Sequence, residues 1–268
     1  MIRHDVTIRL SPIDAASARA TVVRHHQSLR YSGDEFVARA QLAGNHYAIE
    51  VDGETVGVAG YDEQALSLLS LTLGARKYER QVMEAVLDTS GVRVAISASW
   101  DERHVDVFGA FATTMESSAY QFELLDGDDL TPPIPGLTLA PGTDADRDYL
   151  EGPEFERSYV KYLEQDHLWI ARWNGETVGL GLFDNAVIDP SKVCIGMYTN
   201  RSARRQGVGR SVLALLSRDL LDQGRIPVAG CWWRNWESRA AIEAAGLSCV
   251  GTIFRMGLDP GRFRVTID

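Results

Sequence analysis

Three arginines and two glycines fall within seven residues, Arg204-Arg205-Gln206-Gly207-Val208-Gly209-Arg210, with Arg201 just upstream. Glycine lets a backbone approach a ligand with no Cβ in the way. Guanidinium groups donate charge-assisted hydrogen bonds to phosphate oxygens. A helix starting here would also present N–H groups that have no internal partner, at the positive end of its dipole. The chemistry that this combination fits is capture of a diphosphate. It is not a dinucleotide fingerprint, which needs a third glycine where Val212 stands, nor a Walker loop, which needs Gly-Lys-Ser/Thr.

Such a loop must be held by what flanks it. Before it, Val193–Thr199 ("VCIGMYT") reads as a buried strand rich in β-formers. After it, Val208, Val212, Leu215, Leu216 and Leu220 share one face of a helix. Further upstream, "GETVG" follows Asn174, and the same five residues follow Asp52, 122 positions earlier. Asp-Gly and Asn-Gly favour the type I′ turns that join two twisted strands. The correspondence extends outward. "DVTIRL" (Asp5–Leu10) resembles "GLTLAP" (Gly136–Pro141), and "VRVAIS" (Val92–Ser97) resembles "IPVAGC" (Ile226–Cys231), now offset by 134. Strand, helices, hairpin, strand, helix, strand, helix, strand therefore occurs twice. The twelve extra residues of the second copy hold the Arg-Gly loop, and the first copy has "LGARKYERQVMEAVLD" there, with no Gly-x-Gly. Between the copies, "DGDDLTPPIPG" has a linker's composition. The expected organisation is a degenerate domain over 1–126, a linker over 127–135 and a binding domain over 136–268.

"RRQGVG" resembles the Arg/Gln-x-x-Gly-x-Gly/Ala signature of the Gcn5-related N-acetyltransferases, with Arg204, Gly207 and Gly209 in the defining places. "NWESRAAIEAAGL" is similar to that family's second motif through Asn235, Ser238, Gly246 and Leu247. The resemblance covers residues 136–258 and, more loosely, 5–125. It implies an α/β (α+β) fold of two tandem domains, each a mixed, mostly antiparallel central sheet flanked by helices. It also implies acetyl-CoA as co-substrate, with no metal. The coenzyme pyrophosphate would rest on Arg204, Arg205, Gln206, Gly207, Val208, Gly209 and Arg210, and the pantetheine arm would pair with the backbone of Met197, Tyr198 and Thr199. Asn235 and Ser238 would complete the cofactor site, although Asn235 also reads as a helix cap.

The sequence departs from that pattern in two places. Val193 stands near the register where relatives carry a glutamate base, and Ile242 stands where they carry a tyrosine acid. Tyr198 is the first candidate acid, and Asp184 a candidate proton relay through water. Glu154 and Glu156 fall on the expected acceptor side. Trp232, Trp233 and Trp236 either wall a pocket or pack in a core. His25-His26 reads as a helix surface in the degenerate copy, and Cys231 as a buried thiol without a histidine partner.

Bulk properties narrow the partners. Of 268 residues, 45% are hydrophobic and 24% charged, and the net charge is −10, which disfavours duplex nucleic acid. Residues 1–130 carry 20 acidic against 11 basic side chains (−9), leaving 17 against 16 (−1) for 131–268. The acidic first half favours a cationic acceptor. Three cysteines, Cys194, Cys231 and Cys249, form no metal spacing. No run suits a membrane span, and the expectation is a cytoplasmic monomer or homodimer. The expected activity is transfer of an acetyl group to a primary amine of a small-molecule or peptide acceptor, by direct attack in a ternary complex. Two alternatives remain: a non-catalytic acyl-CoA-binding module, or an O-acyltransferase.

Overall fold

The computed structural model of the chain describes residues 6–31, 35–153, 155 and 159–263. Glu154 and Glu156 lie outside the described residues. Two compact units are present, Met1–Ala119 with Gly251–Asp268 (unit 1) and Tyr120–Val250 (unit 2).

The first succession of elements is β1 (Ile8–Ile13), α1 (Ala15–Gln27), α2 (Glu35–Ala43), β2 (Asn45–Val51), β3 (Glu54–Tyr61), β4 (Leu66–Leu71), α3 (Glu79–Ser90), β5 (Val94–Ala98), α4 (Glu102–Phe111) and β6 (Ala112–Glu123). The second is β7 (Leu137–Pro141), α5 (Arg147–Leu150), α6 (Val160–Leu163), β8 (Leu168–Trp173), β9 (Glu176–Asn185), β10 (Lys192–Thr199), α7 (Val208–Asp222), β11 (Ile226–Trp232), α8 (Trp236–Ala245) and β12 (Ser248–Leu258). The order repeats element for element. Both hairpins form as their turn residues dictate: Asp52-Gly53 takes φ of 52° and 87°, and Asn174-Gly175 takes 50° and 87°. Positive φ at both central positions is the type I′ requirement.

In unit 1, β1 to β4 run antiparallel in sequence order, and β4 then meets β5 in parallel at Leu66–Ala95 alone. The free edge of β5 is taken by β12, with Ala98–Val94 antiparallel to Ile253–Gly257. Unit 2 repeats the plan. Strands β7 to β10 are antiparallel, and β10 pairs in parallel with β11 through Lys192–Ile226, Val193–Pro227 and Cys194–Val228. Beside β11 in the strand order comes β6, whose residues from Tyr120 onward belong to unit 2.

The units therefore do not coincide with the division expected at 127–135. Each sheet takes its last strand from the other copy. Because the two copies carry similar strands, local sequence chemistry is indifferent to which copy supplies it. Nor is the expected linker a free tether. Thr131 N–H donates to Ala245 O, Ile134 N–H to Ser211 Oγ, and the Pro132 carbonyl accepts from Arg210. The segment from Asp128 to Ile134 forms neither helix nor strand, so its carbonyls and remaining N–H groups stay available to α7 and α8.

The core of unit 1 gathers around Phe108, Phe111, Met83 and Leu87, and that of unit 2 around α7. Val208, Val212, Leu216 and Leu220 are buried there, as their spacing predicts, and Leu215 is half-buried. The helix lies close on the sheet at Gly181, where a Cβ would come within 2.8 Å of Leu216 Cδ1. In the described residues, no helix is long and apolar enough to cross a membrane.

Candidate functional site

Strands β10 and β11 stop pairing after Cys194–Val228 and diverge. What faces the opening follows from strand alternation. Asn200 N–H donates to Val178 O, toward β9. Met197 and Thr199, an odd number of residues away, therefore turn their N–H and C=O groups away from β9, to the side where β11 has left. A parallel pair that opens leaves an unfilled strand edge inside the fold, and an extended ligand or a carbonyl oxygen can use it. Tyr198 turns its own backbone toward β9.

The loop lies at the end of this edge. A short 3-10 turn, Arg201–Ala203, is followed by Arg205 at φ 62°, and then Gly207 at φ 85° caps α7 from the left-handed region. No side chain caps the helix. Ser211 N–H bonds back to Gly207 O, so the N–H groups of Val208, Gly209 and Arg210 are the helix's unsatisfied donors. A Cβ on Gly209 would sit 3.3 Å from Thr199 Oγ1 and 3.4 Å from Met197 Sδ, so that glycine brings the helix start against the strand edge.

The arginines divide into two groups. Arg204 and Arg205 are exposed. Arg204 Nε donates to Thr199 O at 3.2 Å, with its guanidinium 5.7 Å from the centre of the Tyr198 ring. Arg210, expected to serve the diphosphate, donates from Nη1 to Pro132 O at 3.0 Å. That bond orients it toward the segment before β7. Gln206 donates to Ser202 O and tightens the loop. Asn235 is the N-cap of α8, its Oδ1 accepting from Ser238 N–H at 3.0 Å, so both residues are engaged in helix initiation.

Around Tyr198 an aromatic group assembles that sequence reasoning missed. Its ring centre lies 4.8 Å from that of Phe155 and 6.5 Å from that of Tyr159. Tyr149 Oη donates to Asn200 Oδ1 at 2.6 Å. The four-residue spacing of Phe155 and Tyr159, and the repeat of Tyr159 and Tyr162, were the available signal. Asp184 is not part of this group. It pairs in register with Cys194, whereas Tyr198 pairs with Leu180. Four strand residues, roughly 13 Å, separate the two. Val193 and Ile242, standing where relatives carry a base and an acid, are both buried in the apolar core.

Trp232 and Trp236 are 72% and 56% exposed, which removes the core-packing reading for both. Trp233 is half-buried, with Arg234 stacked 4.7 Å from its ring centre. Cys231 is buried, and its thiol is pushed up to about 11 by burial, which leaves it protonated and inert at neutral pH. His25 and His26, expected on a helix surface, are instead almost wholly enclosed in unit 1, with Asp101, His104 and Gln41 arriving from other elements.

Residues 139–242 match the model of the acetyltransferase (GNAT) family. No curated protein matches the chain. Among solved structures, an acetyltransferase of the GNAT family from Colwellia psychrerythraea superposes with a TM-score of 0.81 at 13% identity, over 94% of this chain and 100% of that one. A tandem GNAT protein from the clavulanic acid biosynthesis pathway gives 0.57 at 11% identity, over 94% and 98%. A Gcn5-related N-acetyltransferase from Sphaerobacter thermophilus gives 0.55 at 14%, over 96% and 97%. At these identities the likeness is one of fold.

Proposed function

We propose that this chain, which belongs to the acetyltransferase (GNAT) family through residues 139–242, transfers an acetyl group from acetyl-CoA to a primary amine at the opening between β10 and β11. One observation carries the reading: the exposed strand edge at Met197 and Thr199 runs directly into the uncapped N-terminus of α7. A diphosphate fits the N–H groups of Val208 to Arg210, with Arg204 and Arg205 supplying charge. The Met197 N–H fits the thioester oxygen, where a fixed donor stabilises the negative charge that develops in the transition state.

The amine nitrogen attacks the thioester carbon in a ternary complex. The C–N bond forms, the C–S bond breaks, and the amine's excess proton passes to water. The departing thiolate takes a proton from the Tyr198 hydroxyl, whose ring is held between Phe155 and Arg204, and water returns a proton to Tyr198. The aromatic group favours an acceptor with an apolar body next to its amine. The acceptor is a small molecule or a peptide.

A second reading has its own support. With Val193 and Ile242 in place of the usual base and acid, unit 2 could bind acyl-CoA without turning it over. Titration calorimetry with acetyl-CoA, run beside a thiol-release assay on a panel of primary amines and alcohols, separates the possibilities. Binding with thiol release on an amine supports the proposal, and release on alcohols alone makes the enzyme an O-acyltransferase. Binding without release on any acceptor makes the chain a binder, and no binding overturns both.

A further inference from the structure

Unit 1 contains a cavity of about 570 Å³ that the reading of unit 2 does not use. This is within the size range of small-molecule sites. It opens where β4 and β5 part beyond Leu66–Ala95. One wall is formed by Thr21, Arg24 and His25 of α1 and by its C-cap Ser28, all of them polar. The core-facing side of α1 is instead Ala18, Val22 and His26, so these polar groups flank the cavity from the helix's solvent side.

The charge around the cavity runs against its surroundings. Residues 1–130 have only 11 basic side chains against 20 acidic ones. Four of those 11, Arg24, Arg30, Arg76 and Arg103, line this one space, together with two carboxylates, Asp101 and Glu102. Arg103 is paired with Glu79. Arg24 donates to Thr21 Oγ1 at 3.0 Å, and among the described residues no carboxylate pairs with Arg24, Arg30 or Arg76.

The floor is rigid and already satisfied. Asp101 Oδ2 accepts from His25 Nε2 and from His104 Nδ1, each at 2.7 Å, while Oδ1 accepts the His104 N–H at 3.2 Å. Burial opposes ionisation of Asp101, yet the hydrogen bonds from His104 and His25 outweigh it and hold its carboxyl well below the ordinary range. The three residues form the one group of metal-ligand type found among the described residues, but their facing atoms are joined by protons. The carboxylate's lone pairs are thus committed inward, and the guanidinium groups are the donors left to an incoming ligand. A coenzyme arm cannot pair along β4 as proposed for β10, because His104 Nε2 occupies the Leu69 amide.

We propose that this cavity is a second binding site, separate from the unit 2 cleft, for a small organic anion. Arg24, Arg30 and Arg76 hold its phosphate or carboxylate head, and Leu71 and Trp100 cover its apolar body. Titration calorimetry on the full chain, using inorganic phosphate in one arm and citrate in the other, tests the site. Saturable binding of either probe, weakened at least tenfold in Arg24→Ala/Arg76→Ala and unchanged in Gly207→Trp, supports it, and the probe that binds names the head group. Both arginines are exposed, and a thermal melt confirms that the double variant is folded. Absence of binding by both probes, or equal affinity in the double variant, overturns the proposal. Loss of acetyl-CoA binding in Gly207→Trp bears on unit 2 only.

Discussion

His104 Nε2 lies 3.1 Å from the amide nitrogen of Leu69, and accepts its proton. Leu69 is the unit 1 counterpart of Met197. Thr72 N–H donates to Val56 O just as Asn200 N–H donates to Val178 O, and each residue lies three positions earlier on its strand. The donor proposed to polarise a thioester in unit 2 is therefore satisfied by the protein's own imidazole in unit 1. The helix that follows begins with Glu79 where α7 begins with Val208, and a carboxylate in the first turn already complements the dipole. The expected stoichiometry is one coenzyme A per chain. Calorimetry returning two equivalent sites would contradict this assignment.

Gly207 is required by its backbone before any ligand is considered. At φ 85° any other residue is strained by roughly 1 kcal/mol, and a Cβ would stand 3.2 Å from both Arg210 Nε and Ile134 Cγ2. Gly207→Val should lower the melting temperature by a few degrees and weaken coenzyme A binding by at least tenfold. The matched change Glu84→Val, on exposed α3 surface next to Arg80, should leave affinity unchanged. The pair of titrations distinguishes a loop effect from general damage.

Tyr198 and Asp184 make separable claims. Tyr198→Phe removes a hydroxyl while keeping the ring contacts to Phe155 and Tyr159, so kcat should fall tenfold or more with little change in the coenzyme KM. Asp184→Asn, roughly 13 Å along the strand, should leave kcat within about twofold. The reverse ranking would move the proton chemistry to the paired end of β10.

Stability should fall as the medium is acidified below neutrality. His26 is buried, with Nε2 donating to Gln41 Oε1 at 2.7 Å and Nδ1 without a partner. Burial lowers its pKa from 6.5 to about 4, outweighing the Gln41 bond. Between those values the unfolded chain holds more protons than the folded one, so stability rises with pH. The contribution is complete above 6.5 and lost as pH falls toward 4, and it amounts to about 3 kcal/mol. His25, also lowered by burial despite its bond to Asp101, acts in the same direction. Asp101 titrates only below this window. Urea midpoints at pH 7.5 and 4.5 should differ clearly less in His26→Asn than in the parent. An identical difference would remove His26 from the account.

Buried Lys192 pairs at 2.8 Å with half-buried Glu123 within unit 2. Truncating one partner leaves the other charge uncompensated, at a cost of about 3 kcal/mol or more. Glu123→Ala should thus destabilise more than Lys192→Met/Glu123→Leu, which removes both charges and keeps the volume. Denaturant titration of the two variants gives the ranking.

What the sequence revealed was local. The two Gly-bearing turns, the buried stripe of α7 and its start at Gly207 are each determined within a few residues, and each forms as read. What it concealed depends on partners far along the chain. His25 reads as surface because Asp101, 76 positions away, is not visible from α1, and His26 because Gln41 is 15 away. The bond from Arg210 to Pro132 O spans 78 positions and is likewise invisible from the loop. Asn235 was open to two readings because capping and ligand binding use the same side-chain oxygen.

The exchanged strands set a timetable for synthesis. Thr252 meets Ser99 across 153 residues of chain, so the edge of β5 emerges from the ribosome long before the strand that covers it. Unit 1 must wait, with one row of backbone donors and acceptors bare, while the whole of unit 2 is translated. A fragment ending anywhere before β12 would carry that bare edge permanently and would offer it to any strand it met.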